Sequence, residues 1–264
     1  GEGGGVDGLN ELPLSWVRQC EALLGEVVQR PAVVVTQGGV APLGIQLADR
    51  NPAPQSGPAA APGAVAWGGG GFLAGALGRP RAKNERAGGS VAQLVMASPP
   101  QWENLCAALP SAEVEENLRR LRALPRWAYD VLSSRPAVRF FSDLFLFAKA
   151  VDGGGCGELW LNKACGEAQG DYSARPAIWA FNAGLCERED LSAPLARLPQ
   201  PTLVVLGQQI GGSAASVIQR GEKFEQGMAN ANAAIFPGKN VIPLQDPYSF
   251  CDLVSGFVRD PTEP

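Results

Sequence analysis

Apolar positions along this chain follow two different periods, and their alternation predicts the elements. Between residues 14 and 29, Leu14, Val17, Leu23, Leu24, Val27 and Val28 recur at helical spacing, and Pro31 ends the run. Ala32-Val33-Val34-Val35 follows as an unbroken, β-branched stretch, which predicts a strand buried on both faces of a parallel sheet. Thr36-Gln37-Gly38-Gly39 reads as a tight turn, and residues 40–49 as a helix that tolerates Pro42 in its first turn. A second apolar run at residues 91–97 and a third at 201–207 predict further buried strands, and Ala233-Ala234-Ile235-Phe236 a last short one. Residues 213–228 read as a helix capped by Ser213, and residues 246–258 as a closing helix carrying Phe250, Leu253, Val254 and Phe257. Strands alternating with helices imply a parallel sheet with crossover connections.

Two regions depart from this rhythm. Residues 53–90 are rich in Pro, Ala and Gly, lack a period, and carry Arg79, Arg81, Lys83 and Arg86. They read as a low-complexity surface insertion, with Trp67 and Phe72 as its large apolar residues. Skipping it, Asn51-Pro52 leads directly into Val91, as an ordinary helix–loop–strand junction would. Residues 111–190 are mostly helical, with Leu118, Leu121, Leu124 and Trp127 on one face and a buried amphipathic helix expected at residues 140–151. The chain therefore divides into residues 1–52, the insertion 53–90, a core strand region 91–110, a helical block 111–190 and a C-terminal core 191–264.

Composition narrows the function. Apolar residues make up 45% and charged ones 18%, enough to bury a substantial core. The net charge of −4 and the lack of a basic block argue against nucleic acid as the main partner. No apolar run is long enough to span a bilayer, which leaves membrane association to a peripheral role through a complex. The beginning, Gly1-Glu2-Gly3-Gly4-Gly5, is neither a signal peptide nor a methionine start: a presequence was removed, or the chain begins partway through a longer product. The six cysteines, at 20, 106, 156, 165, 186 and 251, form no C-x-x-C pair and read as buried or partly buried free thiols, with Cys156 and Cys165 near enough in sequence to approach one another. There is no histidine, so a metal site would need cysteines and carboxylates alone; neither metal nor cofactor is expected.

From residue 9 onward the order and spacing of three segments resemble the C-terminal two-thirds of an α/β-hydrolase. The turn region 33–49 is similar to that family's nucleophile elbow. Pro201-Thr202-Leu203-Val204-Val205-Leu206-Gly207 is similar to its seventh strand. Phe236-Pro237-Gly238-Lys239-Asn240-Val241-Ile242-Pro243 is similar to the loop that carries its histidine. The resemblance implies a partial α/β-hydrolase fold: a mostly parallel sheet flanked by helices, with residues 111–190 as a helical cap. It also implies four strands ahead of the elbow strand that have no counterpart here. Either they belong to the natural protein outside this chain, or something else covers the apolar edge of the strand at residues 32–35.

Carried over residue by residue, the resemblance places the nucleophile at Gly38, or at Thr36 if the register slips by two. It places the acid at Ile210 within Gln208-Gln209-Ile210-Gly211, and the histidine at Asn240. Glycine offers no attacking atom, and asparagine is no general base near neutral pH. The expectation is a non-enzyme: a histidine-free, catalytically degenerate, plastid-type member that serves as a structural or interaction subunit. Its partners would be proteins of a larger assembly, such as a photosynthetic or ribosomal complex of the chloroplast. The competing reading is a small-molecule binding protein with Thr36, Gln37, Gly38, Trp102, Gln208 and Asn240 around the pocket, and Trp127, Trp179 and Phe181 above it. A third is a hydrolase of non-standard mechanism, with Cys106 or Cys186 as nucleophile or Glu103 and Asp143 as paired acids. On Asn240 the expectation is specific: its side-chain amide bonds to the turn at Gln37-Gly38.

Overall fold

Inner and edge strands separate clearly in the computed structural model, which describes residues 12–53, 89–148, 157–170, 175–210 and 213–261. One parallel sheet holds β1 (Ala32–Gln37), β2 (Val91–Ala97), β3 (Thr202–Gly207) and β4 (Ala231–Phe236), in that spatial order. Val34 faces Leu94, Leu94 faces Thr202, and Thr202 faces Ala231; the β1–β2 register shifts once, between Ala32 and Val33. β2 and β3 sit inside, and their residues are buried almost throughout, as unbroken apolar runs require when helices cover both faces.

Successive side chains point to opposite faces, so the sheet feeds two cores. Leu94, Met96, Val204 and Leu206 pack with one helical layer. That layer comprises α1 (Leu12–Ala22), which continues as a π-helical turn at Leu23–Val28, then α2 (Ala41–Arg50), the short α3 (Trp102–Leu105), α9 (Ser192–Arg197) and α10 (Ala214–Gly227). Val95, Ala97, Leu203, Val205 and Phe236 face the other way, against Ile242 of α11 (Ile242–Gln245) and Phe250 and Phe257 of α12 (Pro247–Arg259). Both late helices begin as the sequence predicts. Ser213 and Ser216 form a reciprocal capping box on α10, and Asp246 accepts from the Ser249 N–H at 3.1 Å on α12.

The cap consists of α4 (Ser111–Arg122), α5 (Arg126–Leu132), α6 (Arg135–Phe141) with a π-helical turn at Ser142–Leu146, α7 (Glu158–Gly170) and α8 (Arg175–Asn182). Its own small core gathers Val114, Leu118, Tyr129, Trp179, Ala180 and Leu185, with Leu121 and Leu124 at its margin. A second cluster of Phe147, Leu161 and Val241 joins cap to core.

Several expectations need correction. β1 is not buried on both faces: Val35 is 49% exposed, because among the described residues the strand is paired on one side only. In the π-helical continuation of α1, Leu23 and Val27 point outward, since a widened turn breaks the 3.6-residue stripe. Trp127 leaves the α4 face and is 68% exposed, because the chain turns at Pro125 before it. The helix expected at residues 140–151 ends at Leu146, and Phe140, Phe141, Leu144 and Phe145 are exposed rather than buried. Residues 149–151 lie outside the described residues, as do Cys156 and the bulk of the insertion at 54–88. The ends of that insertion are tied together: the Val91 N–H donates to the Asn51 carbonyl at 2.8 Å, and Pro52 bridges to Val91. Cys20 and Cys251 are exposed free thiols; Cys165 and Cys186 are buried.

Candidate functional site

β1 delivers the chain to a sharp turn. Gln37 is extended, Gly38 has φ +60°, and a single 3₁₀ turn, Gly38–Val40, leads into α2. A left-handed residue between strand and helix is strained for any side chain but is natural for glycine. A Cβ built on Gly38 would meet open space, so φ and not crowding singles out glycine there. Gly39 is different. A Cβ on it would lie 2.6 Å from Cζ of Phe181, because the ring of that α8 residue rests on the Gly39 backbone. The cap thus closes over the elbow through one aromatic side chain.

The loop after β4 reaches the same turn. Gln37 donates through Nε2 to the Asn240 carbonyl, and its Oε1 is buried with no hydrogen-bond partner among the described residues. The Asn240 side chain, however, does not bond to the elbow. Its Nδ2 donates to the carbonyl of Phe145 in the cap. The backbone N–H groups of Asn240 and Val241 both donate to Leu146, at 3.0 and 3.2 Å, and Lys239 Nζ donates to Leu144. A helix leaves its last carbonyls unpaired. Here the loop at residues 239–241 supplies the missing donors for the π-helical turn, and so fastens the cap to the core. The expectation for Asn240 is corrected accordingly: the loop contacts the elbow through its backbone, and the amide holds the cap.

The remaining candidates are dispersed. Thr36 is buried and donates to the Val95 carbonyl at 3.2 Å, which makes it part of the sheet's packing. Trp102 packs edge-on against Phe224 of α10, with ring centroids 5.4 Å apart. Gln208 is exposed, its N–H donating to Phe236, and Ile210 lines a separate cleft near α10. Trp179 is buried against Tyr129 inside the cap. Burial pushes the Cys186 thiol up to about 11, and burial together with Asp190 raises Cys106, so neither holds a ready thiolate. Glu103 pairs with Lys223 on α10, and Asp143 belongs to the cap's π-helical turn. Sequence reasoning missed Ser98, a buried non-glycine residue at φ +48° where β2 ends, whose hydroxyl donates to Lys239. It also missed the contact of Phe181 with Gly39; nothing in spacing alone could pair a cap helix with the elbow.

The arrangement of this sheet and its helices is similar to that of solved structures. A probable hydrolytic enzyme from Pseudomonas aeruginosa superimposes over 92% of this chain and 68% of its own, with a TM-score of 0.58 at 17% identity. The chain has the α/β-hydrolase fold. An α/β-hydrolase enzyme from a Medee basin deep-sea metagenome library matches over 92% of this chain and 70% of its own (TM-score 0.52, 13% identity). A bromoperoxidase from Bacillus anthracis does so over 93% and 74% (TM-score 0.58, 13% identity). No protein-family model matches the sequence, and no curated protein is similar to it.

These neighbours overturn the expectation of a non-enzyme. An α/β-hydrolase fold with an open elbow lies among hydrolytic enzymes and a bromoperoxidase, and a missing histidine removes one mechanism rather than catalysis as such. The plastid-type and complex-subunit expectations find no support in the comparisons. Among the described residues, no helix is long and apolar enough to cross a membrane.

Proposed function

We propose that this α/β-hydrolase-fold protein acts on a small uncharged carbonyl compound at the Gly38 elbow, without a covalent intermediate. The observation that carries this reading is the elbow itself: Gly38 at φ +60°, with open space where a nucleophile's side chain would stand. That space suits the substrate or an attacking water. At the turn opening α2 the Ala41 N–H already donates to the Gly38 carbonyl and Pro42 has none, so the amides assigned to the charge that develops on a carbonyl oxygen are those of Gly39 and Val40. Water adds to the carbonyl carbon of an ester and gives one proton to solvent; the tetrahedral intermediate then breaks its C–O bond to the leaving group, which takes a proton from solvent and departs as the alcohol. Polarisation and binding alone leave a rate on the order of 10³-fold above water in hydrolases stripped of their triads. Phe181 sets access, since its ring lies on Gly39.

The test is hydrolysis of p-nitrophenyl acetate followed from the first seconds. The expected trace is linear, without a burst and without an acylated species in the mass spectrum. Phe181→Ala should raise the rate several-fold by uncovering the Gly39 amide. A burst with a stable adduct would overturn the non-covalent mechanism, and a rate equal to buffer in both proteins would overturn the activity.

A second reading, a subunit that docks another polypeptide, is supported by β1, whose outer edge is unpaired among the described residues and whose Val35 is exposed. On this reading the partner adds a strand beside β1 within a larger protein assembly. Native mass measurement decides it: Val35→Lys should release the partner.

A further inference from the structure

Away from the elbow, one half-buried cation has no carboxylate in contact with it. Arg220 lies on α10 and donates through Nη2 to the carbonyl of Pro99, just after β2. Its Nε is buried with no hydrogen-bond partner, and it makes no ion pair among the described residues. Burial pushes its pKa down, while the charge of Glu103 acts in the opposite sense. Glu103 is itself engaged by Lys223 on the same helix, which holds the carboxyl below its ordinary range. Glu103 thus contacts Lys223 and acts on Arg220 only from a distance, and the partly desolvated guanidinium has no carboxylate partner of its own among the described residues. Leaving such a charge unpaired is costly.

A cleft of ≈ 170 Å³ opens at this place, lined by Gln101, Glu103, Ile210, Gln219, Arg220 and Lys223. It lies beyond the carboxyl ends of two neighbouring parallel strands, β2 and β3, where open α/β sheets commonly hold ligands. It is smaller than the ~300–1,000 Å³ of a drug-sized site but has room for a compact polar group. Gly38, Gln37 and Asn240 do not line it. We propose that this cleft binds a small oxyanion, the carboxylate or phosphate group of a ligand, between Arg220 and Lys223, with Glu103 as an internal competitor for Lys223. The Pro99 carbonyl fixes the guanidinium, so less side-chain freedom is lost on binding. Gln101 and Gln219 add neutral amide donors at the rim.

The experiment titrates the full chain with inorganic phosphate and, separately, with acetate, followed by amide chemical shifts at low and high salt. Saturable binding that moves the resonances of residues 216–223 and weakens with salt is expected. Lys223→Gln should weaken it about tenfold, the loss of one charged hydrogen bond. Glu103→Gln should strengthen it several-fold, because Lys223 is then free. Both side chains are exposed, so neither change disturbs the core. Arg220→Gln should abolish binding; because Arg220 also holds Pro99, its melting temperature is measured alongside. Tighter binding of phosphate assigns a phosphoryl ligand, and tighter binding of acetate a carboxylate. Saturable binding of neither anion overturns the proposal. So does a Glu103→Gln change that weakens binding, or a Lys223→Gln change that leaves it untouched.

Discussion

β1 and β3 read almost alike as sequence, yet the structure uses them differently. Each is a run of apolar residues with valines at its centre, Ala32-Val33-Val34-Val35 against Leu203-Val204-Val205-Leu206. Every residue of β3 is buried, whereas β1 exposes Val35 and leaves Ala32, Val33 and Val34 half covered. Both strands feed both cores: Val33 joins the α12 side with Leu203 and Val205, and Val34 joins the opposite side with Val204 and Leu206. The difference lies in neighbours. β3 is flanked by β2 and β4, while β1 is paired with β2 alone among the described residues. An apolar run thus reports that a strand forms, and its place in the sheet decides how much water it loses.

The largest predicted effect tests this directly. Leu203→Ala should cost about 2–5 kcal/mol, because a fully buried leucine leaves a cavity. Val35→Thr should stay within about 0.5 kcal/mol, as for an exposed site. Urea unfolding of the two variants at matched slope measures both, and comparable losses would show that β1 is covered in solution.

The strand ends extend the comparison. β3 ends at Gly207, where a Cβ would lie 1.8 Å from the Lys239 carbonyl oxygen; β1 runs into Gly38, where a Cβ meets nothing but φ is +60°. Gly207→Ala should therefore cost about 1–3 kcal/mol through overpacking, and Gly38→Ala about 1–2 kcal/mol through backbone strain. Asparagine tolerates the left-handed region, so Gly38→Asn should recover most of the second loss. Gly207→Asn should be worse than alanine. Recovery at both positions would erase the distinction.

A smaller effect belongs to the loop between these two ends. Asn240→Ala removes the donor to the Phe145 carbonyl and should cost about 1 kcal/mol. It should also speed amide exchange at Val241, whose N–H closes the same turn. Unchanged exchange would mean that the amide does not fasten the cap.

The smallest effect concerns α12, which packs on the face shared by both strands. Hydrogen bonds from Ser249 hold the Asp246 carboxyl below its ordinary range. A carboxyl depressed in the folded state adds stability above the unfolded pKa, and that stability fades as pH falls through the folded value. Wild type should therefore exceed Asp246→Ala in melting temperature near neutrality, with the gap narrowing on acidification. A gap that widens in acid would show that another group controls the helix end.

Much of the scaffold was legible in residues. Val91–Ala97 and Thr202–Gly207 are apolar runs of strand length, and their type does not depend on partners. Ser213 signals a helix start because a cap is a local hydrogen bond. The tight turn at Thr36-Gln37-Gly38-Gly39 was legible too, and the structure gives Gly38 the left-handed conformation that glycine adopts without strain. The exposure of Trp127, Phe140 and Phe145 was not legible, because helical spacing defines a face without saying what stands opposite it. The placement of the Asn240 side chain on the cap was equally hidden.

The sequence by itself determined where the core strands and the helices after them form, and that this chain supplies no histidine, because those are properties of composition, period and local bonding. Only the tertiary structure decided that Phe181 covers Gly39, that residues 239–241 cap the turn at Ser142–Leu146, and that Lys223 meets Glu103 across 120 residues. Those contacts depend on how the cap and α10 pack onto the sheet, and packing between distant segments leaves no period in the chain.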